Sequence, residues 1–592
     1  MKSFLKNIFS ASIGVLLAIG VLSLIGFVMM VGVVASSEQK IDIKKNSVLH
    51  IHLNGPLTEV ATSDPINELL AMGSEGSLSL EELRMALKQA KDMDEIKGVF
   101  LEGGLVETEP ATLQELRSCL EDFKKSGKFV FSYADDYTQG VFYLSSLADK
   151  IAVNPEGSVS WRGMSSNPIF FKETLEKIGV KMQVFKVGKF KSAVEPYINT
   201  EMSEPNRLQV KSYIGSIWNQ FVSSVSESRN IPVDSLQVYA DRYAPLWTAQ
   251  ELVKTHLVDT LTYVDGAKKM LRQMAGIEDD DKLNLVSAAD ICSQAPKGKG
   301  KTIAVYYASG EIIQEENPSM TGMGGEYIVG KTVVEDMEKL MNDDDVEAVV
   351  LRINSPGGSA YASEQMWHAI KELGKKKPLV VSMGGYAASG GYYMSCAAPY
   401  IFADATTLTG SIGIFGMIPD ASELIQNKLG LRFDQVSTNK MSDFIVGNFS
   451  RPMTETECMM VQRKVEEGYR LFLSRVAEGR KKSTAEIDSI AQGRVWTGEQ
   501  AIAIGLVDKL GTLDDAVKYI AEKAKLGDKY HTVSYPQQDP WYMELLNEKK
   551  TSYYESQVRS VLGEFYQPMM ELKKIQSRDA VQARMPFDPN IR

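Results

Sequence analysis

The fold is decided by a stretch that reads Val380-Val-Ser-Met-Gly-Gly-Tyr-Ala-Ala-Ser-Gly-Gly-Tyr-Tyr-Met-Ser-Cys-Ala-Ala398. An apolar strand runs into a glycine-rich turn, and a helix of small and aromatic residues follows it. Glycines on both sides of Ser389 leave few side chains to block its hydroxyl. This setting is typical of a nucleophilic serine. Backbone N–H groups in such a turn stabilise the negative charge that develops during the reaction. The same composition also suits a plain tight turn, because Gly and Ser mark turns in most folds.

Two copies of one long segment follow each other in the chain. The motif Trp247-Thr-Ala-Gln-Glu-Leu-Val-Lys-Thr-His-Leu-Val-Asp259 recurs 249 residues later as Trp496-Thr-Gly-Glu-Gln-Ala-Ile-Ala-Ile-Gly-Leu-Val-Asp508. Residues 48–57 likewise recur 255 residues later at 303–312. This period is far longer than that of a solenoid repeat and matches the size of one domain. The sequence therefore predicts a duplicated domain.

The two copies differ at the serine. With an offset of 250 residues, Gly140 falls on Gly390, but Gln139 falls on Ser389. The first copy therefore keeps the turn and lacks the nucleophile. This asymmetry favours a chemical role for Ser389 over turn formation alone.

Strand and helix patterns alternate in each copy, which indicates an α/β fold with a mainly parallel sheet and crossover helices. Long segments at residues 201–242 and 451–492 each predict two or more amphipathic helices. The pattern predicts a further helix over residues 420–429.

An apolar segment lies near the N-terminus. Residues 8–37 carry no charge, and this length exceeds the ~20 residues that cross a bilayer. A cleaved signal peptide has a shorter apolar region, so we expect an uncleaved anchor, although Val33-Val-Ala35 leaves cleavage open. Lysines flank the segment on both sides, so charge alone does not set its topology. We expect an anchor at residues 1–37, a first copy at 46–295, a second at 300–530 and a tail of unassigned role at 531–592.

Composition excludes several classes of function. The net charge of −11 argues against nucleic acid as a partner. The four cysteines have neither the spacing of a metal site nor that of a redox motif, and no His-Glu-x-x-His zinc motif occurs. We therefore expect neither a metal nor a cofactor.

A second glycine turn, Ile353-Asn-Ser-Pro-Gly-Gly-Ser359, closes one strand and opens a helix. Its backbone N–H groups could hold an oxyanion, or it could be a plain connection. A serine nucleophile also needs a base, and His368 is a weak candidate. Burial can turn a lysine into a base by lowering its pKa from ~10.4 toward neutrality.

Three lysines, Lys186, Lys189 and Lys191, lie in one short segment of the first copy. In strand alternation, Lys189 and Lys191 would share a face. The residues alone do not decide among the three.

Five motifs together resemble the signal peptide peptidase A family, also called protease IV, in its long tandem form. The resemblance runs from the apolar segment to about residue 525. The motifs are Lys-Ser-Ala-Val-Glu-Pro at 191–196, Ser-Pro-Gly-Gly-Ser at 355–359, Ala-Ala-Ser-Gly-Gly at 387–391, Thr-Gly-Ser-Ile-Gly at 409–413 and Trp-Thr-Gly at 496–498.

The resemblance implies two tandem domains with a fold like that of the Clp protease and crotonase group. It implies a Ser–Lys dyad, with Ser389 as the nucleophile, Lys191 as the general base and Ser411 as the hydroxyl that orients the lysine. Gly358 and Gly390 would then donate their N–H groups to the oxyanion.

The resemblance also implies a homotetramer, a single-pass anchor in the bacterial inner (cytoplasmic) membrane, and a body on the periplasmic side. The expected substrates are signal peptides left in the membrane after protein export. Alternatives are a broader quality-control protease of the membrane or envelope, a crotonase-type acyl-CoA enzyme, and a non-catalytic membrane scaffold. Because each chain holds one lysine tract and one serine, we expect the dyad to form within one chain.

Overall fold

The computed structural model describes residues 43–60, 78–278, 282–294, 298, 300–315, 326–444, 451–537 and 581–585, together with the isolated residues 14, 17, 20 and 21. The anchor predicted at residues 1–37 lies, apart from those isolated positions, outside the described residues, as does most of the tail predicted at 531–592. Among the residues described, no helix is both long enough and apolar enough to cross a membrane.

The first copy forms an α/β unit around a parallel sheet. Its strands are β1 (Ser47–Thr58), β2 (Leu78–Ser79), β3 (Ile96–Glu107), β4 (Phe129–Ala134), β5 (Lys150–Val153), β6 (Lys181–Lys186), β7 (Thr260–Leu261) and β8 (Leu285–Val286). Its helices are α1 (Leu80–Asp92), α2 (Pro110–Lys124), α3 (Gln139–Ser145), α4 (Lys172–Ile178), α5 (Glu195–Ile198), α6 (Glu204–Arg229), α7 (Val233–Asp241), α8 (Ala249–Lys254), α9 (Val264–Ala275) and α10 (Ala288–Ser293).

The strands of this first sheet follow the order β2-β1-β3-β4-β5-β7, with β8 beside β1, and all pairings are parallel. Ile51 lies opposite Leu101, which in turn lies opposite Ser132. Helices cover the sheet, so its central strands are apolar on both faces, as parallel strands generally are.

The second copy repeats this plan. Its strands are β9 (Lys301–Ser309), β10 (Glu311–Ile313), β11 (Tyr327–Val329), β12 (Val346–Ser355), β13 (Gly357–Ser359), β14 (Leu379–Ala388), β15 (Ile401–Ala403), β16 (Leu408–Gly410), β17 (Phe415–Asp420), β18 (Val495–Thr497), β19 (Lys509–Leu510) and β20 (Tyr530–Tyr535). Its helices are α11 (Gly330–Asn342), α12 (Ala360–Lys376), α13 (Gly390–Ser395), α14 (Glu455–Arg480), α15 (Thr484–Ile490), α16 (Gly498–Ala503) and α17 (Leu513–Lys523).

The second sheet has the strand order β18-β16-β14-β12-β9-β20, and β15 joins β14 to β19. Equivalent side chains pack alike in the two copies, because Tyr143 stacks on Phe221 at 4.1 Å and Tyr393 stacks on Phe472 at 4.3 Å between ring centroids. The structure therefore confirms the tandem α/β copies. It also confirms paired helices in both long amphipathic segments.

A third sheet joins the two copies. Its strand order is β11-β10-β13-β21-β17-β6, where β21 (Val581–Arg584) comes from the C-terminal end of the chain. Strand β6 of the first copy pairs antiparallel with β17 of the second along all six residues of each strand. The helix predicted over residues 420–429 is confirmed in its central part, since residues 422–428 are helical and include a π-helical turn at Leu424–Lys428, whereas Asp420 ends β17.

A buried ion network also crosses between the copies. Arg352 on β12 contacts both carboxylate oxygens of Glu59 at 2.9 Å and an oxygen of Glu115 at 2.5 Å. All three side chains are almost fully buried. Burial raises the pKa of Glu59 against the opposing effect of Arg352. Because Arg352 belongs to the second copy and both carboxylates to the first, the network fixes how the copies dock.

We predict that Arg352→Met destabilises the protein by about 3–5 kcal/mol, because it leaves two buried carboxylates without a counter-charge. The matched control is Arg463→Met, which removes an exposed pair with Glu467 and should cost less than about 1 kcal/mol. Thermal unfolding followed by circular dichroism compares the two variants. Equal melting temperatures would show that the network contributes little.

Candidate active site

Ser389 lies at the junction between β14 and α13 and is fully buried. Its backbone has φ 56° and ψ −111°, a conformation that non-glycine residues rarely adopt and that is often found at functional sites. The backbone N–H donates to the carbonyl of Gly410 at 2.8 Å, which pins the turn against β16. The hydroxyl does not cap the helix, so it is free to face another group.

The group that faces this hydroxyl is the amine of Lys191. Its Nζ lies 2.8 Å from Ser389 Oγ, 2.9 Å from the carbonyl oxygen of Ser411 and 3.1 Å from Ser411 Oγ. Lys191 has no exposed surface. The structure therefore brings together all three side chains that the resemblance singled out, within one chain.

The three contacts fit a neutral amine. The Ser411 carbonyl can only accept a hydrogen bond, so it takes one N–H of Lys191, and Ser411 Oγ can take the second. The lone pair of the amine then points to Ser389 Oγ–H, which donates to it. Each polar atom has a partner in this arrangement, and the serine proton already lies on the path to the lysine.

Desolvation holds the pKa of Lys191 well below its ordinary value. Among the described residues, no carboxylate forms an ion pair with this amine, so nothing opposes the effect of burial. Removing an ammonium from water without a counter-charge is costly, and a lysine in this position releases its proton instead. The arrangement can therefore supply a base at a pH well below that at which an ordinary lysine loses its proton.

A loop, not a strand, delivers Lys191. Strand β6 ends at Lys186, and the Phe190 N–H donates to the Gln492 carbonyl at 2.9 Å. The expectation that Lys189 and Lys191 share a face is wrong, because the chain leaves the strand before either residue. Lys189 is exposed, whereas Lys191 points into the second copy.

Gly493 makes this close approach possible. It has φ +79°, and a Cβ added to it would lie 2.6 Å from both the Cβ and the backbone nitrogen of Lys191. Only glycine fits between the two segments in this conformation. Sequence reasoning missed Gly493, although it stands three residues before the Trp-Thr-Gly motif.

Gln209 on α6 holds the same loop from the other side. Its amide donates to the carbonyl of Phe190 at 3.0 Å and to Ser192 Oγ at 2.9 Å, and its Oε1 accepts from Val495 N at 3.2 Å. Gln209 is fully buried and joins the lysine loop to the second copy. No sequence pattern pointed to it, because a single glutamine in an amphipathic helix carries no signal.

The second glycine turn lies beside Ser389. The N–H of Gly357 donates to Ser355 Oγ at 3.1 Å, so this donor is occupied. A Cβ added to Gly357 would come within 2.7 Å of the Gly390 backbone nitrogen, which brings the two turns into contact. The N–H groups of Gly358 and Gly390, predicted as oxyanion donors, therefore lie on neighbouring turns.

The equivalent site of the first copy is closed by a side chain. Gln139 Oε1 accepts hydrogen bonds from the backbone nitrogens of Arg162 at 3.1 Å and Gly163 at 3.2 Å. Its Nε2 donates to the Gly163 carbonyl at 3.2 Å. The amide thus satisfies the polar backbone where a nucleophile would stand. His368, the weak alternative base, is exposed on α12.

The profiles of two known families match the chain. The profile of peptidase family S49 matches the chain twice, at residues 122–278 and 371–527. The profile of Clp protease matches residues 322–403, which include the Ser355–Ser359 turn and Ser389.

Curated relatives match most of the chain. Protease 4 of Salmonella typhi is 37% identical over 517 residues, covering 85% of this chain and 81% of that protein. Protease 4 of Haemophilus influenzae is 37% identical over 494 residues, covering 80% and 78%. The chloroplastic serine protease SPPA of Arabidopsis thaliana is 29% identical over 489 residues, covering 82% and 70%.

We predict that Gly493→Ala slows the reaction of Ser389 with a fluorophosphonate by about 100-fold, because displacing Lys191 by about 1 Å costs that much. Gly127→Ala is the matched control, since Gly127 has φ +80° and nothing lies within 4 Å of an added Cβ. It carries the same backbone strain without the collision. Equal labelling rates for the two variants would contradict the positioning role of Gly493.

Proposed function

Because the chain belongs to peptidase family S49 and is a serine protease, we propose that it cleaves peptide bonds with Ser389 as the nucleophile and Lys191 as the general base. One observation carries this assignment, the 2.8 Å contact between Lys191 Nζ and Ser389 Oγ in a fully buried setting. The absence of any ion-pair partner for this lysine among the described residues supports it, since a base must be neutral to accept a proton.

In the first step of the proposed mechanism, Ser389 Oγ forms a bond to the carbonyl carbon of the substrate and gives its proton to Lys191 Nζ. The carbonyl electrons move to oxygen, and the N–H groups of Gly358 and Gly390 hold the resulting oxyanion. Lys191 is now an ammonium ion, which the carbonyl and hydroxyl oxygens of Ser411 stabilise.

In the second step, the C–N bond breaks and the ammonium of Lys191 donates its proton to the departing amine. An acyl ester on Ser389 remains, and Lys191 is neutral again. A water molecule then gives a proton to Lys191 and attacks the ester carbon. The second oxyanion collapses, the acid product leaves, and Ser389 Oγ recovers the proton.

Ser411 is a positioning residue in this scheme. Its two oxygens hold the amine so that the lone pair faces Ser389. Its own backbone has φ 48°, and its N–H donates to the Arg494 carbonyl at 2.7 Å. The oxygens that contact the amine of Lys191 therefore all belong to the second copy, whereas Lys191 belongs to the first.

We further propose that the substrates are signal peptides that remain in the membrane after export. The uncharged segment at residues 8–37 supports this assignment, because an anchor keeps the enzyme beside membrane-borne peptides. On this proposal, the chain is attached to the bacterial inner membrane by a single span, with its body on the periplasmic side. A broader role in membrane protein quality control would use the same chemistry, and substrate profiling separates the two.

The duplication supports a closed ring of chains, the proposed homotetramer. Within one chain, β6 of the first copy pairs with β17 of the second. With an offset of 251, the counterpart of β6 is residues 432–437, where Phe433 is 56% exposed and Val436 is 99% exposed. With the offset of 250 found at Ser389, the counterpart of β17 is residues 165–170, where Ile169 is 70% exposed. Pairing these two segments between neighbouring chains would repeat the internal contact and cover the apolar side chains.

We predict that Ser389→Ala and Lys191→Met each abolish hydrolysis of a casein-derived peptide, with losses of at least about 1,000-fold, because each removes a reacting group. Lys189→Met is the matched control, since it deletes an exposed amine two residues away and should retain nearly full activity. Comparable losses for the two lysine variants would overturn the assignment of the base.

We predict that kcat/KM rises with pH and then reaches a plateau, because only the neutral amine of Lys191 can accept the serine proton. Since burial lowers the pKa of Lys191, the plateau should begin well below the ordinary lysine pKa of about 10.4. Initial rates measured from about pH 5 to 10 test this. A flat profile, or a rise centred on the ordinary value, would exclude a desolvated lysine base.

A further inference from the structure

The chain places its own C-terminal strand beside the candidate nucleophile. Strand β21 lies between β13 and β17 and pairs antiparallel with both. Gln582 lies opposite Ser359 on one side and opposite Phe415 on the other. The third sheet is therefore continuous only because this strand fills it.

The register brings the strand to the predicted oxyanion donors. The Met585 N–H donates to the carbonyl of Pro356 at 2.7 Å, so these two residues form a hydrogen-bonded pair. Opposite residues in antiparallel strands alternate between bonded and non-bonded pairs, so Gly358 and Ala583, two positions along, form the next bonded pair. The N–H of Gly358 thus faces the carbonyl oxygen of Ala583.

The same carbonyl lies close to the turn that carries Ser389. A Cβ added to Gly357 would lie 2.1 Å from the Ala583 oxygen, and one added to Gly390 would lie 3.1 Å from it. The Ala583 carbonyl therefore occupies the space between the two glycine turns, where a substrate carbonyl must lie for Ser389 to attack it.

Side chains anchor the strand in the groove. Ala583 is fully buried, and Met585 is 3% exposed and belongs to the same apolar cluster as Ala388, the residue before the serine. The guanidinium of Arg584 lies 3.7 Å from the carboxylate of Glu311 on β10. Pro586 follows in the sequence and has no N–H to continue the ladder.

Removing β21 would leave two strand edges facing each other across the width of one strand. Neighbouring strands lie about 4.8 Å apart, so β13 and β17 would be separated by about twice that distance. Such a gap accepts an extended peptide, which gains main-chain hydrogen bonds on both sides. A peptide substrate and β21 therefore need the same space.

We propose that residues 581–585 act as a pseudosubstrate strand, which occupies the peptide-binding groove of the same chain and must leave before a substrate can bind. The inference rests on the proposed function of Ser389 and adds regulation to it. It also gives the C-terminal tail a role. A ligand or partner that captures the tail would raise activity by increasing the fraction of chains whose groove is open.

Ala583→Asp in the full chain tests the proposal, because it puts a charge into a fully buried position of the strand. We expect both fluorophosphonate labelling and peptide hydrolysis to accelerate about tenfold or more, in proportion to the gain in open grooves. Ala583→Gly is the matched control, which keeps the ladder and adds no charge, and its rates should stay within a few-fold of wild type. The wild-type rates should not change on dilution, since the strand acts within its own chain.

A synthetic peptide of residues 577–588 provides the second measurement. It should inhibit the Ala583→Asp chain competitively, whereas the same peptide with aspartate at position 583 should not. If Ala583→Asp lowers the melting temperature, Met585→Asp replaces it, since that residue is also buried.

Unchanged or slower reaction of both opened variants would overturn the proposal. So would loss of the residues after the strand from the wild-type chain but not from the Ser389→Ala chain, because the segment would then be a substrate. The proposed function fails separately, if the Ser389→Ala chain still hydrolyses peptides.

Discussion

The candidate site depends on the burial of a lysine amine without a counter-charge, which is energetically unfavourable for the charged form. An ammonium ion in this position would lack a counter-charge, so burial lowers the pKa of Lys191 and favours the neutral amine, whose lone pair can accept a proton. The low pKa of Lys191 requires that water be excluded from its amine, and neither copy can bury the amine alone. The lysine loop comes from the first copy, while Ser389, Ser411 and Gly493 come from the second. Docking of the two copies is therefore a condition of the proposed chemistry.

Duplication let the two copies diverge around this condition. The first copy has the same strand-to-helix turn but carries Gln139 at the position of Ser389, and that amide forms hydrogen bonds with the backbone around it. The second copy kept the serine and has Ser442 at the position equivalent to Lys191, with an offset of 251 residues. Pairing of β6 with β17 and the buried contacts of Arg352 hold the two copies together. In this arrangement the first copy supplies Lys191 and the second supplies Ser389.

Local signals in the sequence predicted much of the site. The glycine-rich turn at Ser389, the offset of the repeat and the family motifs singled out Ser389, Lys191, Ser411 and two glycines as candidates, and the structure places these residues close together. The prediction that Lys189 and Lys191 share a face of a strand is wrong, because β6 ends at Lys186, before either residue. The tandem α/β copies were predicted as well, since parallel strands and crossover helices have strong local patterns.

Long-range pairing carried no such signal. The third sheet assembles short strands at residues 181–186, 311–313, 327–329, 357–359, 415–420 and 581–584. The sequence of a short strand does not indicate which strand it pairs with. Gln209 and Gly493 were missed for the same reason, because their importance arises only where two distant segments meet. The helix expected at residues 420–429 begins two residues later than predicted, because the pairing of β17 with β6 takes Asp420 into the sheet.

The separation of Lys191 from Ser389 along the chain has a consequence for biosynthesis. The two residues are 198 positions apart, and domains generally fold as units from the N-terminus during synthesis. A growing chain therefore displays its lysine while the serine is still inside the ribosome, and the amine stays hydrated and protonated until the second copy folds onto it. On the proposed mechanism, a half-made protease is inert, so the ribosome is never exposed to an active fragment.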